Sequence, residues 1–222
     1  MKPRFSNKPT NALTLIEVLV IVAVLAVLWA LLMPAMDNRP TRALRIACVN
    51  NLKQIGIAYR LWEGDNNNKY PMQLSVTNGG AMELVAAGNV AACFEMMSNE
   101  VNNPKILLCP EDTRRVWATN FFTLNNSNIS YFVGLDVTNE TNPQMFLSGD
   151  DNFVIGGVPV QSGALQLLTN TPVSWSKARH KFVGIIGLAD GSVEQSYNQI
   201  ETQSLTNLIQ QTGVATNRLA IP

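Results

Sequence analysis

The sequence predicts an α+β fold in which a long N-terminal helix packs on a small antiparallel β-sheet. Three features favour this fold: an apolar run of 19 residues near the N-terminus, an amphipathic segment directly after it, and short apolar stretches between turn residues farther on. The first two features predict the two halves of one helix, and the third predicts the sheet. The chain is therefore divided into residues 1–12, 13–36, 37–63 and a globular domain, 64–222.

The composition limits the classes of function. The 222 residues include 16 Lys or Arg and 16 Asp or Glu, so the formal net charge is zero and we expect no nucleic-acid partner. The length suits one domain with an additional N-terminal segment rather than two large catalytic domains. Only 14% of the residues are charged and 46% are hydrophobic, with the apolar excess near the N-terminus. This asymmetry indicates a membrane segment followed by a more polar domain.

The apolar run extends from Val18 to Met36 and contains no charged side chain. A helix needs about 20 apolar residues to cross a bilayer core of about 30 Å, so the run is predicted to span a membrane. A cleaved secretory signal is the competing interpretation, but its apolar core has only about 7–15 residues and ends at a small-residue cleavage site. The residues after Met36 do not form such a site. Basic residues flank the run on both sides and leave its orientation open.

The segment after Pro40 has an apolar face at helical spacing. The residues of this face are Leu44, Cys48, Leu52, Ile55, Tyr59 and Trp62. Their separations of three and four residues predict an amphipathic helix that continues the apolar helix and lays this face on the sheet. Residues 64–68 should end the helix, since Gly and Asn tolerate the left-handed conformation found at helix C-termini.

The C-terminal part of the chain is predicted to form mainly short strands. Strands are predicted at 105–109, 130–135, 144–147, 153–155, 182–189 and 192–197. Residues 81–101 are predicted to contain a short helix. Asp190 and Gly191 separate the last two strands, and an Asp-Gly pair favours a two-residue type I′ turn because both positions adopt positive φ. These two strands are therefore predicted to form a hairpin.

Few residues are candidates for chemistry. Cys48, Cys93 and Cys109 form no C-x-x-C pair, so no metal site is expected. Cys93 and Cys109 are a candidate disulfide, and three small buried side chains are the alternative. His180 is the only histidine, and without a G-x-S-x-G motif it is expected to order the hairpin; neither an enzyme nor a cofactor is predicted. Residues 64–68 and 148–152 offer oxygens to Ca²⁺, but neither stretch fits an EF-hand loop, so turns are favoured.

The N-terminal residues have a recognisable order. A basic leader ends at Ala12 and is followed by Leu13, by Thr-Leu-Ile-Glu ending at Glu17, and by the apolar run, which carries Pro34 near its end. This order resembles the type IV prepilin signal. Members of that family more often have Gly at the position of Ala12 and Phe at the position of Leu13.

A second resemblance extends over most of the chain. The stretches 45–56 and 64–71 are similar to those of the pilin-like proteins abundant in Planctomycetes and Verrucomicrobia. His180, Asp190 and Gly191 form a His-x9-Asp-Gly pattern that resembles a C-terminal signature of the same group.

These resemblances imply a processed and membrane-anchored filament subunit. A prepilin peptidase would cut between Ala12 and Leu13 and methylate the new amine of Leu13. Glu17 would meet the amine of a neighbouring subunit and set the stagger between subunits, and Pro34 would bend the helix. The implied location is the inner membrane, single-pass, with the C-terminal domain periplasmic. The implied partners are the peptidase, other pilins or pseudopilins, the membrane and an inner-membrane assembly platform.

The sequence thus favours a pseudopilin, a structural subunit of a type II secretion-type or type IV pilus-like filament. The alternative is a membrane-tethered extracytoplasmic binding module that does not polymerise. An anchored hydrolase is disfavoured, because the single histidine has no recognisable nucleophile or metal set beside it. Glu17 and the Ala12–Leu13 junction distinguish the first two classes, because a tether needs neither.

Overall fold

The computed structural model describes residues 14–32, 39–138, 142–200 and 204–222. The chain divides into two compact units, Met1–Arg42 and Ala43–Pro222. Helix α1, Leu15–Leu32, is made from the apolar run, and helix α2 covers Arg39–Asp65.

The predicted membrane span is wrong. Within the described residues the apolar run forms an 18-residue helix that ends at Leu32, and Pro34 lies outside them. None of the helices in the described ranges has the length and apolar character needed to cross a membrane, which takes about 20 apolar residues. The single-pass placement in the inner membrane, with a periplasmic C-terminal domain, is therefore wrong as well.

The predicted fold class is also wrong. The sequence pattern favoured one helix over residues 13–63 lying on a small sheet. The described ranges instead contain six separate α-helices, none of them long and apolar enough to cross a membrane, and antiparallel strands dominate the C-terminal part. Several of these strands pair with partners far along the chain, and a pattern of neighbouring residues carries no information about such pairing.

The strands of the second unit form two antiparallel sheets. The strands are β1 Tyr131–Gly134, β2 Phe146–Asp150, β3 Phe153–Ile155, β4 Val158–Pro159, β5 Gly163–Leu168, β6 Val173–Trp175, β7 Val183–Leu188, β8 Val193–Tyr197 and β9 Thr216–Ile221. In the described part of the chain, the larger sheet has the order β5-β9-β1-β2-β7-β8 and the smaller sheet has the order β4-β3-β6.

The larger sheet is buried on both faces at its centre. All residues of β1, β2 and β7 are buried. Because side chains alternate along a strand, Val133 and Ile185 enter one hydrophobic core, while Phe132 and Ile186 enter a second core on the opposite face. The second core also contains Trp175 of the smaller sheet. The larger sheet therefore separates two apolar layers.

Helix α2 contributes its apolar face to the first of these cores. Its buried side chains there are Cys48, Leu52, Ile55, Ala58, Tyr59 and Trp62. The helix ends at Asp65, and the following Asn67 and Asn68 have φ of 56° and 57°, the left-handed conformation that commonly ends helices.

Short helices and turns connect the remaining elements. They are α3 Met82–Ala86, α4 Val90–Met96, α5 Ser98–Val101, α6 Leu205–Gln211 and 3₁₀ turns at Pro71–Gln73, Val76–Asn78, Pro104–Leu107, Phe121–Thr123 and Asn126–Asn128. The strand predicted at 105–109 is wrong, because most of it is a 3₁₀ turn. Pro104 begins this turn with a fixed φ, and the Asn103 side chain accepts a hydrogen bond from Lys105 N.

The predicted hairpin is confirmed, but its turn is of another type. Strands β7 and β8 pair antiparallel, with Gly187 opposite Val193. Gly191 N donates to Leu188 O at 3.0 Å, and Gly191 has a φ of 86°. Asp190 does not share this positive φ; its carboxylate accepts from Ser192 N at 2.8 Å. The loop is therefore a three-residue connection closed by a left-handed glycine, not a two-residue type I′ turn.

The close contact between Gly184 in β7 and Trp175 in β6 gives a stability prediction. A Cβ atom at Gly184 would overlap the indole of Trp175, which is buried between the two sheets. We expect Gly184→Ala to lower the free energy of unfolding by about 1–3 kcal/mol, as overpacking of a core does. Denaturant unfolding followed by tryptophan fluorescence measures this loss.

Gly187 in the same strand provides the matched control. A Cβ atom there would lie 3.4 Å from Ser148 O, an ordinary contact distance. Gly187→Ala should therefore be clearly less destabilising than Gly184→Ala. An equal or larger loss of unfolding free energy in Gly187→Ala would show that the indole contact does not cause the destabilisation by Gly184→Ala.

Candidate functional site

His180 lies in a tight left-handed turn just before β7. His180, Lys181 and Phe182 have φ of 52°, 51° and 67° in succession. Such angles are rare outside Gly, Asn and Asp, so the surrounding contacts must hold this turn in place. The His180 side chain is only 2% exposed, while Lys181 and Phe182 face solvent.

A disulfide lies against the His180 ring. It joins Cys48 of α2 to Cys109, and Cys109 Sγ is 3.2 Å from His180 Nε2. Neither expected alternative holds: the candidate Cys93–Cys109 disulfide is not formed, and two of the three cysteines are bonded. Cys93 is a buried thiol whose sulfur lies 3.3 Å from Tyr59 Oη. Burial raises the pKa of Cys93 to about 12, although the Tyr59 hydrogen bond acts in the opposite direction.

A carboxylate occupies the other edge of the His180 ring. Glu111 Oε2 is 2.6 Å from His180 Nδ1, the distance of an ion pair, although the two atoms are not aligned as a hydrogen bond. On the Nε2 side, Asp150 Oδ2 lies 3.9 Å away. The imidazole thus has the disulfide and Asp150 near its Nε2 and Glu111 near its Nδ1.

Arg179, the residue before His180, is the centre of a buried ionic cluster. Its Nη1 lies 3.5 Å from Asp112 Oδ2 and 3.5 Å from Asp150 Oδ1, and its Nη2 contacts Asp151. Nη1 also donates to Ser130 O at 3.2 Å. Arg179 is 1% exposed, so its charge is balanced by protein groups rather than by water.

Two further arginines close the cluster toward the surface. Arg115 contacts Asp112 Oδ2 at 3.1 Å and Asp151 Oδ2 at 2.6 Å. Arg114 is more exposed and lies 3.3 Å from Asp112 Oδ1. Three arginines therefore face three aspartates, and the charges of the cluster cancel.

The pKa values of two carboxylates in the cluster are shifted in opposite directions. Burial disfavours the charged form of Asp112, but the charge of Arg179 and the hydrogen bonds and charge of Arg114 outweigh it, so the pKa of Asp112 falls to about 2. Burial has the larger effect at Asp150 and raises its pKa, although Arg179 and His180 act against it. Residues 148–152, considered above as a Ca²⁺ loop or a turn, thus place two carboxylates beside arginines.

The structure does not bring the three residues of the His-x9-Asp-Gly pattern together. Strand β7 lies between them, with His180 buried before the strand and Asp190 exposed after it. The loop that holds Asp190 and Gly191 lies near α2, because Arg60 Nη2 donates to Ala189 O at 2.5 Å. The pattern therefore marks the two ends of β7 rather than one chemical centre.

Glu17 lies in the first turn of α1 and is exposed. Thr14 N and Thr14 Oγ1 donate to Glu17 Oε2, each at 2.9 Å, and Glu17 N donates to Thr14 Oγ1 at 3.3 Å. This reciprocal pair is a capping box, which satisfies backbone donors at the start of the helix. The other predicted assembly and processing residues, Ala12, Leu13 and Pro34, lie outside the described residues.

Comparison with known protein families, with curated proteins and with solved structures finds no match for this chain.

Sequence reasoning missed most of the buried cluster. It singled out His180 and Cys109, but not Arg179, Asp112 or Arg115. One signal was present: only 14% of residues are charged, yet the chain from Glu111 to Arg115 contains four charged residues in five. Clustered charges in a chain of low charge are a pattern worth testing for a buried network.

The lowered pKa of Asp112 predicts acid sensitivity. The ordinary pKa of this carboxyl is 3.8, and in the folded protein it is about 2, so between these values the unfolded chain binds more protons. The contribution of Asp112 to the free energy of unfolding is therefore present above about pH 4 and is lost as the pH falls through about 2. Asp112→Asn should flatten this part of the stability profile, measured by urea unfolding from pH 5 to pH 2.

Asp65→Asn is the control for this titration. Asp65 is an exposed carboxylate at the end of α2, outside the cluster. Its removal should leave the acid slope close to that of the unmodified protein. If Asp112→Asn keeps the same slope as well, the cluster does not govern acid unfolding.

Proposed function

We propose that this protein is a pilin-like structural subunit that assembles into a filament through its N-terminal helix and has no enzymatic activity. A prepilin peptidase is the proposed processing enzyme, and other pilin-like subunits and an assembly platform are the proposed partners. The second unit would be carried on the filament as a folded domain.

The observation that carries this proposal is the surface of α1. The side chains from Leu15 to Ala30 are all exposed, and all of them are apolar except Glu17. Exposed apolar surface of this extent is unfavourable in water and marks an interaction site. Helices that bury such a surface against copies of themselves form a bundle, which is the core of a pilin-like filament.

Glu17 supports assembly in one register. A carboxylate that enters an apolar bundle requires a cationic partner, since an unpaired buried charge is costly. Processing between Ala12 and Leu13 would supply that partner as an amine on a neighbouring subunit. In the described chain the carboxylate is already held at the start of its helix by Thr14.

The second unit has the properties of a stable display domain. The Cys48–Cys109 disulfide connects residues 61 positions apart. A disulfide that closes a loop of that size stabilises the folded state by about 4 kcal/mol. The only histidine of the chain, His180, is buried between the disulfide and Glu111, where it has no access to a substrate. These features favour a structural domain over a catalytic one.

Two substitutions separate the charge of Glu17 from its capping role. Glu17→Gln keeps a capping box, because Gln also serves at this position, but it removes the charge. Thr14→Ala removes the cap, at a cost of about 1 kcal/mol to the helix, and keeps the charge. We expect Glu17→Gln to reduce filament yield severalfold and Thr14→Ala to leave it nearly unchanged, measured by shearing cells that express each variant at equal level.

The opposite ranking would overturn the register role. If Thr14→Ala stops assembly and Glu17→Gln does not, Glu17 acts only as a helix cap. Glu17→Leu removes both the charge and the cap and should give the strongest defect. Normal assembly of Glu17→Leu, or no filaments from the unmodified protein, would favour a binding module that does not polymerise.

Processing provides an independent prediction. In a host with a prepilin peptidase, mass spectrometry should find a mature N-terminus at Leu13 with a methylated amine. Replacing Ala12 by a bulky residue, as in Ala12→Leu, should leave the leader attached, because the cut requires a small residue before it. Assembled protein that retains Met1 would contradict the prepilin interpretation.

A further inference from the structure

Three potential metal ligands meet inside the second unit. The sulfurs of Cys48 and Cys109 and a ring nitrogen of His180 lie within 4.8 Å of one another, and all three residues are buried. Two cysteine sulfurs and an imidazole are a common ligand set for Zn²⁺. Cys48 comes from α2, Cys109 from the chain after the Pro104–Leu107 turn, and His180 from the left-handed turn before β7. No local sequence motif therefore contains all three.

We propose that Cys48, Cys109 and His180 form a binding site for a thiophilic divalent cation, best suited to Zn²⁺, that is available when the Cys48–Cys109 disulfide is reduced. The two sulfurs have two alternative states. One is the disulfide, and the other is a metal bound by two thiolates and the imidazole. The same sulfurs serve both states, so the two exclude each other.

The exchange between the states is balanced. A dithiol reductant gives two electrons and two protons to the Cys48–Cys109 bond, becomes a disulfide itself and leaves two thiols. The cation then replaces the two thiol protons, which pass to water, and the imidazole adds a lone pair without losing a proton. Both end states of the two sulfurs are therefore neutral, the second because two thiolates cancel the charge of the cation.

Glu111 lies beside the ring nitrogen of His180 that faces away from the sulfurs. A metal-binding histidine usually directs its second ring N–H at a carboxylate, which sets the tautomer and the ring position. Glu111 Oε2 lies 2.6 Å from Nδ1, while Nε2 faces Cys109 Sγ at 3.2 Å. The ring thus already presents Nε2 toward the sulfurs and Nδ1 toward a carboxylate.

A buried carboxylate also lies beside the three ligands. Asp150 is fully buried, and its Oδ2 lies 3.9 Å from His180 Nε2. Its Oδ1 has no hydrogen-bond partner among the described residues, although Arg179 lies 3.5 Å away. A divalent cation between the two sulfurs and His180 would place positive charge beside this carboxylate.

The geometry requires only a local change. Bonds of about 2.3 Å to zinc put two tetrahedral sulfurs about 3.8 Å apart, so the sulfurs have to separate by roughly 1.7 Å relative to a disulfide. The Cα atoms of Cys48 and Cys109 are 5.4 Å apart. Rotation about the Cα–Cβ bonds of the two cysteines can supply this separation.

Cobalt titration of the full chain tests the proposal. The protein is purified in mild detergent without a histidine tag, since His180 is its only histidine. It is reduced with a phosphine, which has no thiol to compete for the cation, and titrated with Co²⁺. We expect one equivalent to bind with thiolate-to-cobalt charge-transfer absorption and tetrahedral visible bands, and Zn²⁺ to displace it. The oxidised protein should show neither band.

The variants assign the ligands. Cys48→Ser, Cys109→Ser and His180→Asn should each lose the tetrahedral spectrum, and Asn suits the positive φ at position 180. Glu111→Gln should keep the spectrum but weaken binding roughly 10–100-fold, as loss of a carboxylate behind a ligating histidine does. Cys93→Ser is the matched control, because Cys93 is a buried thiol outside the site, and it should bind as the unmodified protein does.

Circular dichroism separates loss of the site from loss of the fold. If reduction alone unfolds the chain, cobalt is added before the phosphine, and recovery of the folded spectrum together with the charge-transfer band supports the site. A folded and reduced protein that shows no band overturns the proposal. So does a chain that stays unfolded with cobalt, or a band that persists in Cys109→Ser and disappears in Cys93→Ser.

Discussion

The buried guanidinium of Arg179 is the constraint on which the second unit depends. An arginine does not lose its proton inside a protein, so the fold has to place carboxylates around it. Asp151 contacts it directly, and Asp112 and Asp150 each lie 3.5 Å from its Nη1. Removing one partner from such a buried set typically costs about 3–5 kcal/mol, because the remaining charge stays uncompensated. The cluster thus ties the loop after Cys109 and the end of β2 to the turn before β7.

The position of Arg179 also determines the surroundings of His180 and the disulfide. Asp112 follows Cys109 by three residues, and Arg179 immediately precedes His180, so pairing the two charges brings the sulfur and the imidazole together. The left-handed turn that begins at His180 has a cost on the order of 1 kcal/mol per residue. The ionic contacts on one side and the disulfide on the other offset that cost. The backbone at Arg179 and His180 is therefore held both by ion pairs and by contact with the disulfide.

Local patterns predicted the local part of this structure. The β7–β8 hairpin and β3 were identified, because short apolar stretches and an Asp-Gly pair report on neighbours in the chain. The pairing of β5 with β9 was missed, since Gly163 and Ile221 meet only through the fold. For the same reason the site was predicted only in part. His180 was expected to order the hairpin, but neither the Cys48–Cys109 disulfide nor the arginine–aspartate cluster was foreseen.

Glu17 of α1 is an exposed carboxylate, unlike the buried charges of the second unit. In the described chain its carboxylate accepts hydrogen bonds from Thr14 and thus caps its own helix. An amine released by cutting before Leu13 would lie one residue in sequence from Thr14, which contacts the same carboxylate. Pairing within a subunit and pairing between subunits then compete. Water screens both in solution, whereas an apolar bundle strengthens whichever pairing remains, so only association of the helices can make the intersubunit pair dominant.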